Sequence, residues 1–181
     1  MLKTMSLRVP QHFQKEWDYA CGPVSIRMVA DYYNKKINRD MSVDEWLNVL
    51  RITMNFNIRR KSGTNKNKIR PALNAIGIRA YKIKGTTYES KYKYILTAIN
   101  KGHPIIVYCR IKPYKKFKPY KHFAVIVGAN GKSLFILDPF PLGNTNKEIK
   151  KIDKSIFGKI TPNIGEIVWG PLKWGVEVVG K

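Results

Sequence analysis

Two cysteines and three histidines are the residues of this chain best suited to nucleophilic chemistry. Cys21 stands in Ala20-Cys21-Gly22-Pro23, directly before an apolar stretch with helical spacing. A thiol at a helix N-terminus feels the positive end of the macrodipole, which favours the thiolate, the nucleophilic form. Gly22 would let the backbone approach a substrate closely, and Pro23 suits the first helical turn. A small buried apolar residue is the alternative use of such a cysteine. Cys109 lies in the middle of Ile105-Ile106-Val107-Tyr108-Cys109 and reads as core packing.

A cysteine nucleophile needs a base. His12 lies in the N-terminal segment, and His103 in a turn between Gly102 and Pro104. His122 opens the apolar run His122-Phe123-Ala124-Val125-Ile126-Val127, where a strand could hold it rigid at the mouth of a cleft. Ala129-Asn130-Gly131 marks a hairpin after that run. A three-residue loop with Gly131 in the left-handed conformation pairs Gly128 with Lys132. Facing positions then sum to about 260, counted outward by the antiparallel rule. His122 falls opposite Asp138 on one face of the sheet, and the carboxylate could orient the imidazole. A two-residue Asn130-Gly131 loop would turn Asp138 to the other face. Asp138-Pro139 could otherwise be an Asx turn at a strand end.

The elements that must position these groups come next. The spacing of Val24, Met28, Val29 and Tyr32 predicts a helix from Pro23 to about Asn34. Ser42-Val43-Asp44-Glu45 is a capping box, followed by an apolar face of Trp46, Leu47 and Leu50. A third helix runs to about Ile76, with Pro71 in its first turn and Gly77 as its stop. Ile78 to Ile83 alternates as a strand, and Tyr92 to Lys101 reads as a fourth helix stopped by Gly102. Strands are expected at Ile105 to Ile111, His122 to Gly128 and Ser133 to Leu137, with further ones at Ile167 to Trp169 and Val176 to Val179. Helices precede strands, which argues for an α+β fold.

The chain has 181 residues, 44% of them hydrophobic, which is enough for one domain with a proper core and too apolar for a disordered basic tail. Two cysteines exclude a disulfide-stapled mini-domain. No apolar run reaches the length of about 18 residues needed for a membrane span, and the N-terminus lacks the apolar stretch of a signal peptide. A soluble, cytoplasmic, single-domain protein spanning residues 1–181 is the expectation. The net charge is +22, and residues 46–137 carry 20 basic residues against Glu89 alone. Two windows, Arg59 to Arg70 and Arg110 to Lys121, each hold six basic residues in twelve. The second interleaves Tyr114, Phe117 and Tyr120, a mixture that suits nucleic acid as well as a solvated loop. Positive charge running into His122 would also draw acidic peptides. The three scattered histidines offer no metal-ligand spacing, so neither metal nor cofactor is implied.

Cys21, His122 and Asp138 follow the chain order of papain-like cysteine peptidases. The motifs narrow the likeness: Gln14…Cys21-Gly22-Pro23-Val24-Ser25, Gly63-Thr64, Leu73…Gly77-Ile78, Gly102-His103-Pro104, His122-Phe123-Ala124-Val125-Ile126-Val127-Gly128 and Leu137-Asp138-Pro139. Together they resemble cysteine peptidase family 39, the bacteriocin-processing, double-glycine-leader peptidases and their stand-alone relatives. The resemblance covers residues 8 to 140. It implies a papain-like α+β fold, with the cysteine on an N-terminal helix packed on an antiparallel sheet that carries His and Asp. It implies cleavage of a peptide or protein substrate by a Cys21–His122–Asp138 triad. Gln14 would be an oxyanion donor beside the Cys21 backbone N–H, with Gln11 as its alternate. Acyl transfer to an amine by the same triad, and a nucleic-acid or acidic-partner binding module on the same scaffold, are the rival readings.

Overall fold

A computed structural model describes residues 5–14, 19–36, 39–54, 63–111, 120–140, 149–153, 167–168 and 175–180. Four α-helices are seen there: α1 (Cys21–Lys36), α2 (Val43–Met54), α3 (Ile69–Ala75) and α4 (Tyr88–Asn100). The strands are β1 (Met5–Ser6), β2 (Arg79–Lys82), β3 (Ile105–Ile111), β4 (Tyr120–Ala129), β5 (Ser133–Leu137), β6 (Lys150–Asp153), β7 (Ile167–Val168) and β8 (Gly175–Gly180). They form one sheet in the order β2-β8-β3-β4-β5-β6, with β1 pairing to the end of β4 and β7 to the end of β3. Every pairing is antiparallel. The α+β expectation therefore holds, and the C-terminal strand returns to lie between β2 and β3.

Of α1 residues 21–30, all but Arg27 are buried. A helix apolar on nearly all sides belongs inside a protein rather than on its surface. Ile26, Met28, Val29 and Ala30 have no exposed surface and share a cluster with Phe123, Val125, Val127 and Leu137 of the sheet and Leu73 of α3. At roughly 1.5–3 kcal/mol for each large apolar side chain buried, this packing pins α1 to β4. A second cluster fills the other side, where Ile95 and Ile99 of α4 meet Ile105, Val107, Ala124, Ile126 and Ile136. The helix that begins at Cys21 is thus held against the strand that carries His122.

Local signals explain most helix ends. Ser42 Oγ accepts from Glu45 N–H at 3.1 Å and Glu45 Oε2 accepts from Ser42 N–H at 2.9 Å, the expected capping box. Gly77 (φ 75°) ends α3 in a Schellman motif: Ile78 N–H donates to Leu73 O and Gly77 N–H to Asn74 O. Three expectations shift. Helix α1 starts at Cys21 rather than Pro23, with Val24 N–H bonded to Ala20 O at 2.9 Å. Helix α4 starts at Tyr88 rather than Tyr92, because Thr87 and Ser90 form a capping box in which Ser90 takes the place of the usual Glu or Gln. Leu47 is 48% exposed, and the inner face of α2 is instead Val49, Leu50 and Thr53. Strands β3 and β5 have the expected limits, and β4 extends two residues before His122 and one beyond Gly128. In the tail, β7 and β8 correspond to the two expected strands, while Trp169 lies outside the described residues.

The β4–β5 hairpin corrects the expected register. Asn130 N–H donates to Ser133 O at 2.9 Å, closing a two-residue Gly131-Lys132 loop. Asn130 Oδ1 accepts from the N–H groups of Lys132 and Ser133, both at 2.8 Å. An Asn that captures those donors sits at the first position of the turn, not within the loop. Gly131 is not among the positive-φ glycines. Ala129 faces Leu134 and Gly128 faces Phe135, an odd register that would turn Asp138 away from His122. A bulge between Ile126 and Gly128 then inserts one residue into β4, so that Ile126 faces Ile136 and Val125 faces Leu137. Parity is even again. Asp138 follows on as the neighbour of Ala124, placing it diagonal to His122 on the same face, not directly opposite. A diagonal pair lies within reach of long side chains.

Candidate active site

His122 is buried, with 1% of its side chain exposed, and so is Asp138, with 2%. His122 Nε2–H donates to Asp138 Oδ1 at 2.6 Å. The same oxygen accepts from Phe140 N–H at 2.8 Å, across the turn through Pro139. That is the Asx turn considered as an alternative use of Asp138; here it and the histidine contact coexist on one carboxylate. Phe140 presents its ring to the imidazole edge-on, with centroids 6.5 Å apart. On the other strand, Cys109 Sγ donates to the His122 carbonyl at 3.5 Å, so Cys109 is a packing residue that braces the histidine's backbone.

Burial by itself would lower the pKa of His122, since it disfavours the charged ring. The charge of Asp138, then that of Cys21, and hydrogen bonds to both more than reverse this, and the pKa is pushed up from 6.5 to about 10. Cys21 is thus near enough to the ring for its charge to act on it. Cys21, 7% exposed, is the first residue of α1, whose first turn contains no acidic side chain. The helix N-terminus is thus open to a negative group at the sulfur or beside it.

The other two histidines are engaged elsewhere. His12 Nε2 lies 2.7 Å from Asp31 Oδ2, and His103 Nδ1 lies 2.7 Å from Glu177 Oε1. Tyr94 OH donates to the second oxygen of Glu177. Of the three, His122 is the one whose pKa the charge of Cys21 raises.

Gln14 is buried at 6% exposure, and its backbone N–H donates to Pro139 O at 2.9 Å. The segment before α1 is thereby tied to the Asp138-Pro139 corner. Gln11 Nε2–H reaches Asp138 O at 3.4 Å, which engages the alternate glutamine with the backbone of that corner.

The space that a side chain at Gly22 would take is filled by Thr64. A Cβ built on Gly22 would lie 2.5 Å from Thr64 Oγ1 and 2.6 Å from Thr64 Cβ. Thr64 was legible only as part of Gly63-Thr64, with no role attached. Gly22→Ala is expected to cost about 1–3 kcal/mol through overpacking. Chemical denaturation should show that loss, and Thr64→Gly in the same chain, which removes all three colliding atoms, should recover part of it.

Residues 59–62 of the first basic window and 112–119 of the second lie outside the described residues, whereas Lys66, Lys68 and Arg70 of the first are described. Among the described residues, no helix is long and apolar enough to cross a membrane.

Comparison with known proteins agrees with this geometry. A profile of the Peptidase_C39-like family matches residues 6–165. No curated protein matches the chain. Among solved structures, a Bacillus anthracis protein described as a C39-like peptidase superposes with a TM-score of 0.63 at 16% identity, covering 99% of this chain and 98% of that one. A double-glycine-motif protease from an AMS/PCAT transporter, solved in complex with a leader peptide, gives 0.55 at 19% identity, covering 98% and 94%. UfSP from C. elegans gives 0.59 at 9% identity, covering 100% of this chain and 34% of its own. At these identities the structures establish a shared papain-like fold, whereas the profile spans most of the chain. With the cysteine-bearing helix, the antiparallel sheet and the family motifs in place, the chain belongs to the Peptidase_C39-like family, which supports a cysteine peptidase.

Proposed function

We propose that this chain is a cysteine peptidase that cleaves peptide bonds through Cys21, His122 and Asp138. The observation that carries the reading is the buried imidazole hydrogen-bonded to Asp138, with Cys21 near enough for its charge to raise the pKa of the ring. Burial reduces the solvent screening of the charges around this ring. Asp138 fixes the ring orientation and offsets its positive charge.

In this scheme Cys21 reacts as the thiolate, with His122 as the imidazolium. The sulfur attacks the substrate carbonyl carbon, and the carbonyl π pair moves onto oxygen. The Cys21 backbone N–H and the Gln14 side chain receive that oxyanion. His122 then gives its proton to the leaving amine, and the carbon–nitrogen bond breaks to leave a thioester on Cys21. The neutral imidazole next takes a proton from water, which attacks the thioester and releases the acid. Burial of Gln14 and its bond to Pro139 O support its place in this scheme, since both tie it to the Asp138 corner.

A peptide is the substrate class. The leader peptide bound by the transporter-associated relative supports this. The net charge of +22 favours acidic sequences among the peptides that reach the site. Nucleic-acid binding gains no support from the family or from the structural neighbours.

Alkylation tests the scheme directly. One equivalent of iodoacetamide should modify Cys21 ahead of Cys109, as read by peptide mapping. Cleavage of a mixed peptide digest, followed by mass spectrometry, should disappear in step. Cleavage that persists after complete alkylation of Cys21 would refute the mechanism.

A further inference from the structure

His12 and Asp31 form a close pair that the peptidase scheme does not use. His12 Nε2 lies 2.7 Å from Asp31 Oδ2, with 31% and 17% of the two side chains exposed. Asp31 belongs to α1, the helix that begins at Cys21. The neighbours of His12 are fastened to the sheet instead. Gln11 Nε2–H donates to Asp138 O at 3.4 Å, and Gln14 N–H donates to Pro139 O at 2.9 Å. Further back, Leu7 N–H donates to Val127 O of β4 at 2.7 Å.

Residues 7–14 are therefore a strap. They follow the strand of His122 and the Asp138-Pro139 corner, and His12 carries the strap across to the helix of Cys21. Gln11 and His12 are consecutive, about 3.8 Å apart along the chain. One step of backbone thus joins a contact on Asp138 to a contact on α1.

This bridge supplies something that the core does not. Apolar packing holds α1 on β4, but hydrophobic attraction has no preferred direction. It opposes separation of the two elements more than sliding of the helix along its axis. A polar contact with a set distance and angle opposes sliding as well. The Asp31 carboxylate is also steadied from its own helix. Arg27 Nε lies 3.8 Å from the same Asp31 oxygen, and the Arg27 guanidinium sits over the Trp46 ring of α2, 5.4 Å from its centroid.

We propose that His12 and Asp31 are positioning residues, a clasp that sets Cys21 of α1 against His122 and Asp138 of the sheet. The inference rests on the cysteine-peptidase reading above. Neither side chain touches the reacting atoms, and no bond changes at the clasp. It acts on geometry alone, and a misplacement of about 1 Å at the reacting groups can cost about 10²-fold in rate.

Kinetics on a peptide that the parent cleaves give the first test. Asp31→Ala and His12→Ala should each lower kcat by about tenfold or more, with KM within about twofold. The double variant should be about as slow as the slower single one, because the two side chains make one contact. Asp31→Asn, whose amide oxygen can still accept from His12, should stay within about threefold of the parent, and so should Arg27→Ala, which leaves the strap joined. The second test needs no cleavage. The charge of Cys21 helps to raise the His122 pKa, so Cys21→Ala should lower it. That drop should be smaller in the Asp31→Ala background than in the parent, since the two groups then stand further apart. A merely structural role would lower the melting temperature and leave the drop unchanged. Parental kcat in both alanine variants overturns the proposal. An equal drop in the two backgrounds overturns it too, whatever the kinetics. Cleavage that survives Cys21→Ala refutes the peptidase reading instead, and the two titrations then decide the clasp by themselves.

Discussion

Cys21→Ala is expected to lower peptide cleavage by about 10⁴-fold or more, to background, while the fold persists. In the proposed mechanism the sulfur is the attacking atom. Cys109 is the alternative thiol, but it is buried in a strand with its Sγ on the His122 carbonyl, facing the core cluster around α4. The fold should survive because alanine fits a site whose neighbours, Ala20 and Val24, are themselves packed and buried. Circular dichroism and the melting temperature check the fold, and digestion of a mixed peptide pool checks the activity. The substitution also removes one of the charges that raise the His122 pKa, so that value should fall. Histidine proton resonances followed through a pH titration would report the change. Parental cleavage by the alanine variant would mean that the chemistry lies elsewhere.

Asp138 carries the second large effect, on stability and activity together. Asp138→Ala leaves a buried imidazole without its carboxylate and Phe140 N–H without its acceptor. Breaking a buried ion pair by removing one member costs roughly 3–5 kcal/mol. Asp138→Asn is the informative companion, since its amide oxygen can still accept from Phe140 but brings no charge. Loss of the orienting carboxylate in a comparable triad lowers turnover by about 10⁴-fold, and a similar fall is expected here.

The sign of the pH dependence follows from the His122 shift. Its folded pKa is raised from 6.5 to about 10, so the protonated ring is favoured by folding. That contribution is complete below about pH 6.5 and is lost as pH rises through about 10. The parent should therefore lose stability across this window on the alkaline side, and Asp138→Asn should show a flatter profile there. Urea midpoints measured from pH 6 to pH 10 decide the matter. Parallel profiles for the two proteins would separate Asp138 from the charge on His122.

Much of this site was legible because its signals are local. Cys21-Gly22-Pro23 before an apolar stripe states a helix start with a thiol on it, whatever else the chain does. Asn130-Gly131 between two apolar runs states a hairpin. The His122–Asp138 partnership followed from parity, which survives an error of two in the register but not an error of one. That margin mattered, since the turn adopts an odd register and the bulge at Val127 restores the even one. A bulge has no strong sequence mark here, because Val127 is as apolar as its neighbours and only packing on both faces reveals the extra residue.

By itself, then, the sequence determined the place of Cys21 at a helix end, the limits of β3 and β5 and the α+β order. Each rests on capping, φ preference or periodicity acting within a few residues. The tertiary structure alone decided the rest. It engaged His12 with Asp31 and His103 with Glu177, leaving His122 for Cys21. It set Thr64 against Gly22 from 42 positions away and slid the C-terminal strand between β2 and β3. Such contacts join residues far apart in the chain. No periodicity encodes them, and they are fixed only when the two core clusters pack and bring those distant segments to one face.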